Sequence, residues 1–242
     1  MRTIILALLA ITMTTTTALA ISVNINGSVY TSADATKTYD FIRSSNSSWD
    51  GGANKINIVD YILQGRLKGG DHTYTLVNSQ ANKNPTDTWF SNGATSLLIN
   101  EIAGYAQTNT FGYYTMNSSN QPVIHQLFSG PDQAPAQNSF TLSSPAEFGF
   151  YLGVQNTGKT FYTDAGLNGG NEIHAAIFRV DNSNTYIIGL EDLGLSNTDA
   201  DYQDMIVSVT INPVPEPGTM VLLSFGLFGL AIFAKRRMNE ED

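Results

Sequence analysis

Short apolar runs separated by turn residues occupy the chain from Ile21 to Asn212, and this pattern predicts a body built from β-strands. In one such region, DNSN at 181–184 separates two apolar runs, which predicts a hairpin with a four-residue turn. We predict a mainly β fold, an antiparallel β-sandwich with one or two short helices. The strand-like stretches are FTLSSPAEFGFYLGVQN (140–156), EIHAAIFRVDNSNTYIIGLED (172–192) and DMIVSVTIN (204–212).

Two segments are ambiguous between helix and strand. In ATSLLINEIAGYAQ (94–107), Leu98, Ile102 and Tyr105 recur at helical spacing, but the strand-like TFGYYTM follows shortly afterwards. The same ambiguity holds for NKINIVDYILQGR (54–66). The predicted short helices are expected in these two segments.

The first twenty residues have the pattern of a secretory signal peptide. Arg2 precedes an apolar run from Ile4 to Ile11, and the stretch closes on Ala18-Leu19-Ala20. A basic start, a short apolar middle and a small-x-small finish are typical of such leaders. We therefore expect export with cleavage after Ala20, and a folded domain that spans residues 21–212.

Residues 213–242 combine a proline-rich step, an uncharged apolar segment and a basic cluster. At ~1.5 Å per residue, the segment from Met220 to Ala234 covers roughly 22 Å as a helix, which is short for a ~30 Å hydrocarbon core. Snorkelling of the basic side chains makes a marginal span feasible, and the positive-inside rule keeps them in the cytoplasm. The expected apolar anchor residues are Met220, Leu222, Leu223, Phe225, Leu227, Phe228, Leu230, Ile232 and Phe233.

This tail resembles the PEP-CTERM sorting signal of bacterial exopolysaccharide-associated proteins. The resemblance implies that Pro215, Glu216 and Pro217 are the motif read by exosortase, a membrane transpeptidase-like enzyme. It also implies that the apolar segment is a transient membrane anchor, ended by a basic stop at Lys235, Arg236 and Arg237. The alternative is an ordinary single-span anchor, although such spans usually run to ~20 residues.

The body resembles the β-rich extracellular domain of unknown function that often accompanies PEP-CTERM tails. This resemblance does not extend to residues 21–90. One departure is NEIH at 171–174, where the family often has Asp-His. The matching segments are INEIAGYAQTNTFGYY (99–114), FGFYLGV (148–154), FYTDAGLN (161–168) and IIGLEDLGLSNTDADYQDMIVSV (187–209).

Composition narrows the classes of partner and chemistry. The formal net charge is −9 and only 14% of residues are charged, so electrostatics oppose binding to a phosphate backbone. We therefore expect no nucleic-acid partner. The chain has no cysteine, which excludes disulfides, thiolate catalysis and cysteine-bound metals.

An acidic turn, LEDLGLSNTDADYQD, joins two strand-like runs. Carboxylates this dense repel one another, and Ca²⁺ relieves that repulsion by accepting six to eight oxygens. The alternative is a solvated turn whose aspartates bond nearby backbone N–H groups. Asp164, Asn168 and Glu172 are candidates to complete a shell. The hypothetical calcium ligands are Glu191, Asp192, Asp199, Asp201 and Asp204.

No motif predicts catalysis, and we expect a protein that is not an enzyme. There is no Gly-x-Ser-x-Gly elbow, and the three histidines, His72, His125 and His174, form no H-E-x-x-H pair. Glu172 and His174 would share one face of a strand, which we interpret as polar strand surface. Apart from calcium, no cofactor is expected.

Two functions are consistent with these features. The first is an exported, exosortase-sorted protein of the cell surface or extracellular matrix, structural or adhesive in association with exopolysaccharide. The second is a calcium-dependent carbohydrate-binding module, in which Trp49, Trp89, Tyr113 or Tyr114 stacks on sugar rings. Aromatic residues in such a pattern more often form core than a binding platform.

Overall fold

The computed structural model describes residues 21–34, 38–43, 56–67, 72–78, 87–101, 106–130, 132, 134–194, 200–214 and 225–228. The predicted signal peptide lies outside the described residues, as do Asp199, the sorting motif at 215–217 and the basic stop. The strands are β1 (Ser22–Ile25), β2 (Ser28–Tyr30), β3 (Thr73–Leu76), β4 (Trp89–Glu101), β5 (Asn109–Met116), β6 (Pro122–Ser129), β7 (Gln137–Val154), β8 (Lys159–Tyr162), β9 (Ala175–Val180), β10 (Thr185–Leu190) and β11 (Met205–Ile211). The helical elements are α1 (Ile58–Leu63), the 3₁₀ turns Ser32–Asp34, Ala165–Leu167 and Gly169–Asn171, and a short helical segment at 225–228.

The strands form one hydrogen-bonded sheet in the order β2-β1-β3-β9-β10-β11-β4-β7-β5-β6, with β8 paired to β7. The mainly β prediction is confirmed. Pairing is antiparallel except between β1 and β3, which are parallel. A parallel neighbour needs a long crossover, and the connection that contains α1 supplies it. The sheet is therefore mixed rather than purely antiparallel.

Strand β7 joins two groups of strands within this sheet. Its first part pairs with β4 as far as Phe148, opposite Trp89, and its last part pairs with β5 and β8. Between Ser91 and Gly93 the register jumps, so that residues 142–145 oppose Asn92 alone. Pro145 lies in this interruption, where its missing N–H costs no ladder bond.

The central strands bury both of their faces. In β9, Ala176 and Phe178 enter a core with α1, β1 and β3, whereas Ala175 and Ile177 enter a second core with β4, β5 and β7. Successive side chains of a strand point to opposite faces, so the continuous apolar run fits a strand covered on both sides. Next to these strands, Glu191 after β10 and Asp201 before β11 are buried.

The ambiguous segments divide into one strand and one helix. Residues 94–101 belong to β4, where Ala94, Ser96 and Leu98 are buried at a period of two. Helix α1 begins after Asn57, whose side chain accepts a 2.9 Å hydrogen bond from the Asp60 N–H as an N-cap. The predicted hairpin is confirmed, with 181–184 joining β9 to β10.

Candidate functional site

The acidic turn is brought together by the pairing of β10 with β11. Leu190 lies opposite Met205, so the residues that follow β10 run beside those that precede β11. Glu191, Asp192 and Asp201 are at most 3% exposed, and are therefore buried rather than solvated. Burial contradicts the solvation that the alternative interpretation expected for these three residues, whereas Asp201 does accept from a nearby backbone N–H, as that interpretation also expected.

Glu191 supports an unusual backbone conformation. Its Oε1 accepts a 2.6 Å hydrogen bond from the Tyr202 N–H, and its own N–H donates to the His174 carbonyl over 3.0 Å. Tyr202 has φ of 59° and Ala200 has φ of 57°, in the left-handed region that such residues rarely adopt. The carboxylate of Glu191 is thus a structural partner of a strained segment.

Asp192 lies at the meeting point of three chain segments. Its N–H donates to Asp204 Oδ2 over 2.8 Å, and its Oδ2 accepts from the Asn109 side-chain amide over 3.1 Å. Asn109 is the first residue of β5 and is fully buried. Sequence reasoning missed Asn109, because nothing in its local sequence links the start of β5 to the end of β10.

Asp201 is bonded to its own neighbourhood. Its two carboxylate oxygens accept from the Gln203 backbone N–H over 3.1 Å and from the Gln203 side-chain amide over 2.8 Å. Its carbonyl accepts from the Ile58 N–H over 2.9 Å, which ties the acidic segment to the start of α1. This residue therefore anchors the loop before β11 to the helix.

The carboxylates in this region perturb one another. Burial, followed by the charges of Glu191 and Asp192, raises the pKa of Asp204 well above its usual range. Glu101, the last residue of β4, lies opposite Met205 and belongs to the same region. Burial and the charges of Asp192 and Asp132 raise the pKa of Glu101 to about 8. The folded protein therefore disfavours the fully ionised cluster.

Among the residues that the structure describes, the buried Oε1 of Glu101 and the buried Oδ1 of Asn109 have no hydrogen-bond partner. Buried polar atoms are usually satisfied, so such atoms indicate a missing partner or a local cost. Oxygens of carboxylates and amides are the ligands that Ca²⁺ takes. Glu101 and Asn109 are thus additional candidate ligands beside the predicted Asp192 and Asp204.

The calcium hypothesis stays a prediction. Within the described ranges, no group of three or more acidic, histidine or cysteine side chains is placed to hold a metal ion. A site here would need further oxygens, such as those of Asp199 or of backbone carbonyls. Of the residues proposed to complete the shell, Asp164 accepts from the Gly166 N–H, and Asn168 bonds to Tyr162.

The only acid–imidazole pair that the sequence suggests is hydrogen-bonded but enclosed. His174 Nε2 lies 3.0 Å from Glu172 Oε2, and the imidazole stacks on Phe161 with ring centroids 3.8 Å apart. His174 is 1% exposed, and burial lowers its pKa. The interpretation as polar strand surface is therefore wrong, since the pair precedes β9 and His174 is in the interior.

The aromatic platform suggested for sugar binding is largely core. Trp89 and Tyr114 are buried in the second core and the adjoining sheet, and Tyr113 stacks between His125 and Phe140. Trp49 lies outside the described residues. The expectation that these aromatic residues serve as core is confirmed for Trp89 and Tyr114.

Of the predicted membrane anchor, only Phe225, Leu227 and Phe228 fall within the described residues. They lie in a short helical segment at 225–228 and are exposed. The part of the chain that the structure describes contains no helix with the length and apolar character needed to cross a membrane.

Two family models match the chain. One, described as "Domain of unknown function (DUF4114)", matches residues 65–212, which is more than half of the chain. The other, described as "PEP-CTERM protein-sorting motif", matches residues 213–237. No curated protein matches the chain. The strands β1 and β2 precede the first match but join the same sheet.

Proposed function

This chain belongs to the DUF4114 family and carries a PEP-CTERM sorting motif, and on that premise we propose that it is a structural or adhesive protein associated with exopolysaccharide. The motif makes it an exported, exosortase-sorted protein of the cell envelope or surface. In our proposal, exosortase acts near Pro215-Glu216-Pro217, and the apolar segment up to the basic stop is a disposable anchor.

The buried carboxylate cluster is the observation that most supports a structural role. Its carboxylates accept hydrogen bonds that hold chain segments together. Glu191 accepts from Tyr202, and Asp192 accepts from Asn109. The enclosed His174 leaves that imidazole without access to a substrate. Both features favour a stable scaffold over an enzyme.

Calcium-dependent carbohydrate binding is the second candidate function. It is favoured by the oxygens of Glu101 and Asn109 that have no partner in the described part of the chain, because they add metal-ligating oxygens to the acidic turn. A bound cation would then stabilise the described residues that follow β10 and precede β11. Sugar recognition would require residues other than the buried Trp89 and Tyr114.

The test of the sorting proposal is the intact mass and location of the protein in its own cells. We expect the mature protein to lack residues 1–20 and the apolar tail, and to co-purify with the exopolysaccharide. Replacement of Pro215, Glu216 and Pro217 by alanine should leave an uncut protein in the membrane fraction. The matched control is Asn212→Ala, which precedes the motif and should be processed normally. A mature wild-type protein that retains its tail would contradict the proposal.

A further inference from the structure

A polar cleft lies beside the acidic segment, between residues 38–43, 170–173 and 200–202. Its volume is about 460 Å³, within the range of roughly 300–1,000 Å³ that is usual for small-molecule sites. Asp40, Arg43 and Asn171 are exposed at its rim, whereas Phe41 and Tyr202 are buried beneath it. The opening is therefore polar and its base is packed.

The backbone around this cleft is held in uncommon conformations. Asp40 and Asn171 have φ of 56°, Ala200 has 57° and Tyr202 has 59°. These are four of the seven non-glycine residues with positive φ in the described chain. Asn and Asp tolerate the left-handed region because their short polar side chains can form local hydrogen bonds, which Ala and Tyr side chains do not provide. Such conformations persist where surrounding contacts impose them, and they cluster at ligand-binding sites.

Hydrogen bonds lock the three segments together. The Arg43 N–H donates to the Ala200 carbonyl over 2.8 Å, and the Tyr202 hydroxyl donates to the Ile173 carbonyl over 2.7 Å. The side chains at the rim thus project from a backbone that is already fixed. A fixed rim reduces the entropy that a ligand must overcome on binding.

The side chains of the lining define the ligand class. The carboxyl groups of Asp40 and Glu172 offer hydrogen-bond acceptors, Arg43 only donates hydrogen bonds, and the Asn171 amide does both. Hydroxyl groups complement all of these, since each donates one hydrogen bond and accepts two. An anion would meet two carboxylates, and a cation would meet the Arg43 guanidinium. The lining therefore suits a neutral, polyhydroxylated ligand.

We propose that this cleft binds a neutral sugar unit of a polysaccharide, with Asp40, Arg43 and Glu172 as its recognition residues. The inference rests on the proposed association with exopolysaccharide and gives that association a location. Glu172 is also a candidate to complete a calcium shell, whereas Asp40 and Arg43 are not among the candidate calcium ligands. Sugar recognition through Asp40 and Arg43 is therefore separable from a cation site.

The test is binding of the purified mature protein to the cells' own exopolysaccharide and to arrayed neutral and uronic-acid glycans. Asp40→Asn removes a charge but keeps a residue that tolerates left-handed φ, and Glu172→Gln keeps an oxygen that can accept from His174. We expect each variant to lose at least tenfold in affinity for the neutral glycan. Asp181→Asn, which makes the same change in the β9–β10 turn, should bind within twofold of wild type.

The outcomes separate the cleft from the wider function. Equal glycan binding by wild type, Asp40→Asn and Glu172→Gln would overturn the proposal that this cleft binds sugar. The proposed association with polysaccharide would remain. Selective binding of uronic-acid glycans would overturn the neutral ligand class. Binding of no glycan by the wild-type protein would overturn both proposals. Thermal unfolding of each variant checks that a loss of glycan affinity does not result from unfolding. If one of the two variants fails to fold, the other still tests the cleft.

Discussion

The side-chain amide of Asn109 donates to the carboxylate of Asp192 over 3.1 Å, although the two residues are 83 positions apart. Both side chains are buried. The bond ties the first residue of β5 to the residues that follow β10, and it belongs to a cluster rich in carboxyl groups. The stability of the domain should therefore depend on the ionisation of that cluster.

Asn109→Asp should destabilise the protein strongly at neutral pH. The change keeps the shape of the side chain but replaces the donor to Asp192 with a second carboxylate in a buried site. We expect a loss of about 3 kcal/mol or more in the free energy of unfolding, measured by urea denaturation without calcium. Asn109→Ala should cost less, about 1–3 kcal/mol, because it only leaves Asp192 without its donor.

Asn182→Asp is the matched control for this charge change. Asn182 lies in the exposed β9–β10 turn with φ of 57°, which aspartate also tolerates. Its effect should stay within about 0.5 kcal/mol. Equal effects at 109 and 182 would contradict a buried acidic cluster.

Stability should fall as the pH rises from about 5 to about 8. The pKa of Glu101 is raised from 4.5 to about 8 in the folded protein, so the folded state holds a proton that the unfolded state has released. This contribution is fully present below pH 4.5 and is lost as the pH rises through 8. The raised pKa of Asp204 acts in the same direction. We expect a decrease of roughly 1–2 kcal/mol in the free energy of unfolding over this interval.

Glu101→Gln tests the source of that pH dependence. The variant mimics the protonated side chain and should flatten the decrease in stability between pH 5 and pH 8. Glu147→Gln is the control, since Glu147 is exposed and accepts a hydrogen bond from the Thr88 hydroxyl. A pH profile that Glu101→Gln leaves unchanged would remove Glu101 from the explanation.

Calcium should stabilise the protein and remove the decrease in stability towards pH 8. A cation among the carboxylates favours their charged forms, so stability in calcium should no longer fall towards pH 8. At a calcium concentration 100 times Kd, binding contributes about 2.7 kcal/mol, which corresponds to a rise in Tm of roughly 5–10 °C. Asp192→Asn should abolish the rise, whereas Asp181→Asn should not. A Tm that is the same with calcium and with chelator would contradict the calcium hypothesis.

Gly189→Ala should disrupt the acidic segment through contact with its backbone. A Cβ at Gly189 would lie 2.3 Å from the Tyr202 carbonyl oxygen and 3.0 Å from Ile58 Cγ1. Because backbone must shift, we expect a loss of about 3 kcal/mol, measured by denaturant unfolding. At Gly169 an added Cβ meets no atom within 4 Å, so Gly169→Ala should change stability by less than about 0.5 kcal/mol. Similar losses at both glycines would refute this steric account.

Features that depend on neighbouring residues could be predicted from the sequence. The β9–β10 hairpin follows from turn-forming residues between two apolar runs, and both strands follow from their β-branched and aromatic content. The sorting tail could be recognised because its three parts are read in linear order. Residues 54–66 and 94–107 were ambiguous because short apolar runs fit both the helical period and the strand period. Packing resolved the ambiguity, in favour of α1 in the first segment and of β4 for residues 94–101 of the second.

The sequence by itself determined a mainly β protein with a sorting tail and an acidic turn, because strand propensity, turn chemistry and a linear signal are local properties. Only the tertiary structure placed Glu101 and Asn109 beside Asp192, and only it buried Glu191 and Asp201. The order of strands brings residues together across long separations, and burial depends on layers that distant segments supply. The environment of each carboxylate, and hence its pKa, is therefore set by the assembled sheet.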